Sequence, residues 1–362
     1  MAIHPIDFRY GTPEMKQIWE EDFRLRCLFK VEAALARAEE EVGLLPTGIA
    51  ADIAAAAEAA SPARAKQIED EIGHDMMATV LAMAEVCPGG AGEWIHLGAT
   101  SNDILDTATG LQIKASLDVL EPKLKKLLSV LLDLAVKNKD LVCAGRTHGQ
   151  IAVPTTYGLR FAIWASEVAR HIERLQQLRP RAAVGKTSGA VGTQAAYGPK
   201  GMEIQSLVMK HLGLNEVDVS NQVVQRDRHA EMICWMAIVA TTLDKIFTEI
   251  RTLQRTEIAE VEEGFGKKQV GSSRLLISWA ESFSVTALCS NRMSASSRFS
   301  SKAFMDAWRM ISWACCRPTP FLASSTITFS AMFKPWRSVR FFSMFSGLRR
   351  RFVKTRMDRV MR

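Results

Sequence analysis

The sequence lacks a long apolar run, a regular cysteine pattern and any familiar metal-binding motif. No apolar stretch approaches the roughly 18 residues that a membrane-spanning helix needs, and the opening MAIHPIDFRYGTPE lacks the basic-then-apolar order of a signal peptide. We therefore expect a cytoplasmic protein without a membrane partner. The seven cysteines are scattered without CxxC spacing, which argues against a disulfide framework and a thiolate metal site. HExxH and acidic magnesium motifs are also missing, so no metal is expected.

The composition is that of a globular protein, but it changes abruptly along the chain. Of the 362 residues, 48% are apolar and 23% are charged, and the length suits two or three domains. Residues 274–362 contain 16 basic and 3 acidic residues, whereas residues 1–273 contain 30 basic and 36 acidic ones. The net charge of +7 therefore arises entirely from residues 274–362. That segment also holds 10 of the 16 phenylalanines and a single glycine, Gly347.

Three interpretations of residues 274–362 remain open: a divergent domain, a basic segment that binds nucleic acid or an acidic membrane, and translation of the wrong reading frame. Tryptophan and phenylalanine are too frequent for a solvated disordered tail. Interleaved basic and aromatic residues can bind nucleic acid, but no motif organises them for that purpose here. The pattern favours the frame change, and a nucleic-acid partner is not expected.

Residues 1–273 have helical periodicity, and no alternating pattern of comparable length occurs. A first helix is predicted from Thr12 to Val42, with Thr12 as N-cap, Pro13 at the first position and Gly43 as the stop. Two further long helices are predicted, the second of which Gly264 ends. Long helices with one apolar face predict an all-α bundle and association of subunits. The three apolar faces comprise Leu28, Val31, Leu35, Ala38 and Val42; Ile113, Leu117, Leu120, Leu124, Leu127 and Leu131; and Met232, Trp235, Val239, Leu243, Ile246, Ile250 and Leu253.

Two polar clusters between these helices are candidates for chemistry. In WIHLGATSNDILDTATG, hydroxyls and carboxylates precede a helix, where Ser101 or Asn102 would serve as an ordinary cap, or the helix start would attract a substrate anion. In CAGRTHGQIAVPTTYG, His148 lies between Gly145 and Gly149. A lone histidine is more often structural, but the flanking glycines and its pKa range suit a placed proton donor. The polar residues of the first cluster are His96, Thr100, Ser101, Asp103 and Asp106.

Several separated motifs together resemble the aspartase/fumarase superfamily and, within it, the adenylosuccinate lyases. The resemblance covers residues 9–273 and then stops. It favours that family over argininosuccinate lyase, fumarase and the 3-carboxy-cis,cis-muconate cycloisomerases, although the last share the GRTH region. The motifs are FRYGTPEM, GHDMMA, GATSNDILDTA, GRTHGQIAVPTTYG, GKTSGAVGT, NQVVQRDRHA and VGSS.

The resemblance implies an all-α homotetramer with an aspartase/fumarase-like bundle of long helices. Each active site would be built from loops of three subunits. The implied reaction is β-elimination of fumarate from adenylosuccinate to give AMP, and the parallel cleavage of the succinylated aminoimidazole carboxamide ribotide in purine biosynthesis. It requires a small-molecule substrate and no cofactor.

The resemblance also implies roles for individual residues. His148 would be the general acid, Ser272 the general base, and His74 a further catalytic residue that lies beside the substrate with Gly73 and Asp75 of its motif. Arg9 and Tyr10 would contact the ribose phosphate. Thr100 and Ser101 would hold a carboxylate, and Gln222 would contact the succinyl part. By charge alone, Lys186 and Arg146 are further anion contacts.

The chain departs from the family directly after VGSS. There the family continues with M-P-x-K-x-N-P, whose lysine and asparagine stabilise the serine oxyanion and the substrate carboxylate, whereas this sequence continues RLLISWAES. Losing one such donor costs about 3 kcal/mol, so we expect weak or no activity, and an inactive lyase-like scaffold is the alternative. The predicted domains are an N-terminal domain at 1–110, a truncated bundle domain at 111–273 and the atypical segment at 274–362.

Overall fold

The computed structural model describes residues 12–263 and the two-residue strand Val285–Thr286. In this part of the chain, long helices dominate and the strands are short, which confirms the predicted all-α class. The helices are α1 (Pro13–Trp19), α2 (Glu21–Glu41), α3 (Ile49–Ala59), α4 (Pro62–Ile72), α5 (Asp75–Ala84), α6 (Ser101–Lys137), α7 (Tyr157–Ala182), α8 (Gly201–Leu212) and α9 (Asp227–Leu253), with 3-10 helices at Pro88–Trp94 and Ala195–Lys200. The strands are β1 (Val142–Thr147), β2 (Gln150–Thr156), β3 (Val184–Gly185), β4 (Asn215–Glu216), β5 (Glu262–Glu263) and β6 (Val285–Thr286).

The core lies where α6 packs along α7, and where α7 packs against α9 and α6 against α2. The predicted apolar faces form this core: every predicted residue on α2 and α6 is buried, and on α9 only Ile250 is partly exposed. Burying one such side chain stabilises the fold by about 1.5–3 kcal/mol. Within the described residues, no helix is both long and apolar enough to cross a membrane.

The first predicted helix is interrupted. Thr12 and Pro13 begin a helix as expected and Gly43 follows its end, but Glu20 has an extended backbone and separates α1 from α2. Contacts with α6 hold the break: the Trp19 indole donates to Ser116 Oγ at 3.0 Å, and the Gln112 amide donates to the Ile18 carbonyl at 2.9 Å. Tertiary contacts thus override a continuous helical pattern, and the prediction of one helix was wrong.

The structure also contains a β-hairpin that the periodicity does not predict. Strands β1 and β2 pair antiparallel, and His148 and Gly149 form the two-residue loop between them. Both loop residues have positive φ, +54° and +74°, as the favoured tight hairpin turns require. A Cβ atom on Gly145 would lie 2.4 Å from the Val153 carbonyl oxygen, so this position accepts only glycine. The glycines around His148 therefore shape a hairpin and place the histidine at its tip.

Helix α9 stops earlier than predicted. It ends at Leu253, not at Gly264, and Gly264 lies outside the described residues. After the helix the chain turns sharply: the Glu260 N–H donates to the Leu253 carbonyl at 3.1 Å, and Ala259 has a φ of +47°. Arg146 and Tyr157 bind the Glu260 carboxylate at 2.6 and 2.8 Å. The contact with the hairpin accounts for the early stop.

The predicted domain division stays a prediction. The boundary at residue 110 falls within α6, which runs continuously from Ser101 to Lys137. Apart from strand β6, residues 274–362 lie outside the described residues.

The core of α2 contains a buried carboxyl group, Glu39, whose protonation should govern how stability depends on pH. Its side chain is fully buried, and burial together with the charge of Glu32 raises its pKa from 4.5 to about 8. The folded chain therefore holds a proton that the unfolded chain releases above pH 4.5, so stability falls as the pH rises from about 4.5 to 8.

Replacing Glu39→Gln should remove this dependence. The free energy of unfolding of the variant minus that of the wild type should be roughly 3–5 kcal/mol larger at pH 8.5 than at pH 5. Urea unfolding at both pH values measures this difference. Glu58→Gln, at an exposed position of α3, is the control and should change nothing. Equal effects of Glu39→Gln at the two pH values would contradict the prediction.

Candidate active site

The first polar cluster lies at the N-terminal end of α6. Thr100 is the N-cap, and its N–H donates to the Asp103 carboxylate at 2.9 Å, as in a capping box. The predicted caps, Ser101 and Asn102, are instead the first two residues of the helix. The hydroxyls of Thr100 and Ser101 therefore lie at the positive end of a 37-residue helix, where an anion is stabilised.

Asp103 connects this helix end to the GKTSGAVGT motif. Its fully buried carboxylate accepts hydrogen bonds from Lys186 Nζ at 2.5 Å, from the Ser188 N–H at 2.9 Å and from the Gly189 N–H at 3.0 Å. Lys186 is itself fully buried. Its ammonium forms an internal ion pair, an arrangement that charge alone did not predict. Contact of Lys186 with substrate stays a prediction.

Asp106, one turn further along α6, binds the NQVVQRDRHA motif. It accepts from the Val224 N–H at 2.7 Å and from the Arg226 guanidinium at 2.9 Å. The two loops also touch each other, because Ser188 Oγ lies 2.8 Å from Ser220 Oγ. Gln222 is exposed in this second loop. The start of α6 thus brings together three motifs that are far apart in sequence.

His74 lies at the turn between α4 and α5. Gly73 ends α4 with a φ of +69°, and His74 is the N-cap of α5, where Nδ1 accepts the Met77 N–H at 3.2 Å. The Asp75 carboxylate accepts the Met76 N–H at 2.8 Å. The His74 side chain is 54% exposed. In neutral His74 this cap places the proton on Nε2, so His74 has a structural function and also presents a donor to solvent.

His148 lies far from the start of α6 in the same chain. The base of the hairpin is fixed at the C-terminal end of α6, where Asn138 accepts the N–H groups of Leu141 and Gly158 at 3.1 and 2.9 Å. A helix of 37 residues is about 55 Å long, and the hairpin strands reach about 20 Å. The exposed His148 is therefore at least about 30 Å from Thr100. One chain does not bring these two predicted site residues together.

Arg146, in β1, is paired inside the chain. It binds Glu260 at 2.6 Å, and Tyr157 donates to the other oxygen of that carboxylate at 2.8 Å. Burial opposes ionisation of Glu260, but hydrogen bonds from Arg146 and Tyr157 lower the pKa of its carboxyl below the ordinary value. Arg146 thus fixes the hairpin to the turn after α9, and its predicted contact with a substrate anion stays a prediction.

Sequence reasoning named His96 but missed its partner. His96 Nδ1 lies 2.6 Å from Glu32 Oε1 on α2, and Glu32 is buried. Glu32 follows Leu28 by four positions and Glu39 follows Leu35 by four, so both acids extend the apolar face of α2. Acids at positions of an apolar helix face were the sequence signal that could have predicted this buried partner of His96.

The predicted residues Arg9, Tyr10 and Ser272 lie outside the described residues.

The sequence profile of the lyase family matches residues 8–275. The chain belongs to this family. The match ends within two residues of the predicted limit at 273, which confirms that the resemblance covers a segment only.

Within the described residues, no group of three or more histidine, cysteine, aspartate or glutamate side chains is arranged to hold a metal.

Individual relatives of this lyase-family chain agree with that result. An adenylosuccinate lyase of Methanocaldococcus jannaschii is 54% identical over 76% of this chain and 60% of its own length. One from Pyrococcus abyssi is 56% identical over 76% of this chain and 61% of its own length. A solved 3-carboxy-cis,cis-muconate lactonizing enzyme from Pseudomonas putida has a TM-score of 0.67 and 35% identity, covering 73% of this chain and 61% of that chain. The chain spans about 60% of the length of the relatives it matches.

The contacts of Asp103 predict unequal costs for breaking its ion pair. Asp103→Asn leaves the buried Lys186 ammonium without a counter-charge and should cost about 3–5 kcal/mol. Lys186→Met should cost less, because the Asp103 carboxylate keeps three N–H donors, those of Thr100, Ser188 and Gly189. The free energy of unfolding in urea measures both.

Asp118→Asn is the matched control on α6, since Asp118 pairs with Arg179 at the surface. We expect it to cost less than about 1 kcal/mol. A loss for Lys186→Met equal to or larger than that for Asp103→Asn would contradict the assignment of Asp103 as the connecting group.

Proposed function

We propose that the chain is an adenylosuccinate lyase subunit acting in cytoplasmic purine biosynthesis. It would release fumarate from adenylosuccinate to give AMP, and from the succinylated aminoimidazole carboxamide ribotide. The observation that carries this proposal is the joining of three family motifs at the positive end of α6, through Asp103 and Asp106. Both substrates carry phosphate and carboxylate groups, and hydroxyls and N–H groups at a helix start favour such anions. Identities of 54% and 56% to archaeal adenylosuccinate lyases support the same substrate.

In the proposed reaction, the oxyanion of Ser272 takes the proton from Cβ beside a carboxylate and becomes a neutral hydroxyl. The electron pair of that C–H bond forms the carbon–carbon double bond of fumarate, and the C–N bond breaks with its pair on nitrogen. His148 protonates the departing nitrogen, since an imidazolium is a suitable general acid near neutral pH. Thr100 and Ser101 hold a carboxylate in which negative charge grows during the reaction. Atoms and electrons balance without a cofactor.

The proposed site needs more than one subunit, since His148 and Thr100 are at opposite ends of α6. Exposed apolar side chains around the hairpin and on α7 support association of copies of the chain into a homotetramer. Such a patch is unusual on the free surface of a monomer. The exposed side chains are Val142, Ile151, Val153, Leu159 and Ile163, between 51% and 75% exposed.

The first test is turnover of adenylosuccinate by the full chain, followed as fumarate release. His148→Ala should lower the rate at least about 100-fold, because it removes the proposed acid, and Ser272→Ala should lower it similarly. Gln150→Ala, an exposed neighbour in the same hairpin, should leave the rate unchanged. A near-normal rate for His148→Ala would remove it from the acid role.

A mixing experiment tests whether sites are shared between subunits. His148→Ala and Ser101→Ala chains, each deficient alone, should regain activity when they are unfolded together and refolded, because a hybrid assembles intact sites from two parents. Mixtures that stay as inactive as either parent, while sedimentation shows that hybrids form, would contradict shared sites.

The altered segment after VGSS favours one alternative, an inactive lyase-like scaffold. AMP binding by calorimetry without fumarate release would support that alternative. Absence of both binding and turnover would overturn the adenylosuccinate lyase proposal. Turnover of 3-carboxy-cis,cis-muconate without competition by AMP would instead indicate the cycloisomerase.

A further inference from the structure

The turn that leads into α6 has a backbone that one of its residues, His96, does not favour. His96 has a φ of +68° and Gly98 a φ of +66°. The left-handed region is unfavourable for a non-glycine residue such as His96. The Ala99 N–H donates to the His96 carbonyl at 3.3 Å and closes the turn directly before Thr100. Something outside the turn must stabilise this conformation.

Glu32 supplies that stabilisation from α2. Its Oε1 lies 2.6 Å from His96 Nδ1, and its side chain is fully buried, whereas the His96 side chain is 19% exposed. Burial opposes a charged imidazole, but the hydrogen bond and the charge of Glu32 raise the pKa of His96 above its ordinary value. The contact is therefore a charge-assisted hydrogen bond between residues 64 positions apart.

Tyr197 limits the turn from the other side. A Cβ atom on Gly98 would lie 2.6 Å from a carbon of the Tyr197 ring, and the ring is buried. The turn is thus held between a carboxylate on α2 and a ring on the second 3-10 helix.

The second acid of α2 does not share this role. Glu39 is buried without a hydrogen-bond partner for either oxygen. The charge of Glu32, added to burial, keeps Glu39 protonated at neutral pH, so it does not compete for His96. Of the two buried acids on α2, Glu32 is therefore the one that binds His96.

We propose that Glu32 is a positioning residue of the candidate active site, which acts through His96 to fix the turn that presents Thr100 and Ser101. The identity of the ligand at those hydroxyls rests on the proposed function. The geometry of the turn is independent of it and can be measured separately.

The experiment compares Glu32→Ala, which removes the contact, with Glu32→Gln, which keeps an acceptor and loses the charge. The affinity of the full chain for fumarate, which carries the carboxylate that Thr100 and Ser101 are proposed to hold, should fall about tenfold in Glu32→Ala, the factor that one charged hydrogen bond contributes, and less in Glu32→Gln. The pKa of His96, from its imidazole NMR signals, should fall in both. Glu39→Gln is the control on the same helix and should retain fumarate affinity.

Amide hydrogen exchange separates this proposal from the proposed function. Faster exchange at Ala99 and Thr100 in Glu32→Ala, with α9 protected as in the wild type, supports positioning even if the wild-type chain does not bind fumarate. A wild-type chain that binds neither AMP nor fumarate and does not turn over adenylosuccinate would overturn the proposed function alone. Unchanged exchange at both amides, or unchanged fumarate affinity in a folded Glu32→Ala chain whose wild type binds fumarate, would overturn the role of Glu32.

Discussion

The buried carboxylate of Asp103 is the group on which the candidate site depends. It accepts from the Thr100 N–H at the start of α6 and from Lys186, Ser188 and Gly189 in a loop more than 80 positions later. A buried ion pair gives little net stability, because desolvation offsets most of the attraction. The ion pair and its hydrogen bonds instead fix the position of the loop relative to α6, since four donors around one carboxylate restrict how the helix and the loop can be arranged. The placement of the predicted hydroxyls follows from that arrangement.

The length of α6 imposes the second constraint. A helix of 37 residues separates its N-terminal end from the hairpin that carries His148 by a distance that no side chain can span. Catalysis that needs both ends must therefore take them from different copies of the chain. The same helices that give each chain its core, α6, α7 and α9, also leave apolar side chains exposed near the hairpin. The proposed assembly would thus use the same elements as the fold.

Much of this was predictable, and the failures have physical causes. The stripes on α2, α6 and α9 were found because burial of one helix face leaves a periodic signal. The break at Glu20 was missed because contacts with Ser116 and Gln112 create it, and these lie almost 100 positions away. The hairpin was missed because its strands are largely exposed and so do not alternate. Lys186 was assigned to an anion because its sequence neighbours gave no sign of Asp103.

Buried charge in the described residues is concentrated around the start of α6. Asp103 pairs with Lys186, Asp106 with Arg226, and Glu32 with His96 immediately before the helix. Apolar residues of similar volume at these positions would serve stability at least as well, so stability does not explain the cluster. Directional contacts that fix a helix start, a loop and a turn do explain it, because a binding site needs its polar groups held to within about 0.5 Å. The buried charges therefore lie where the geometry of the candidate site is fixed.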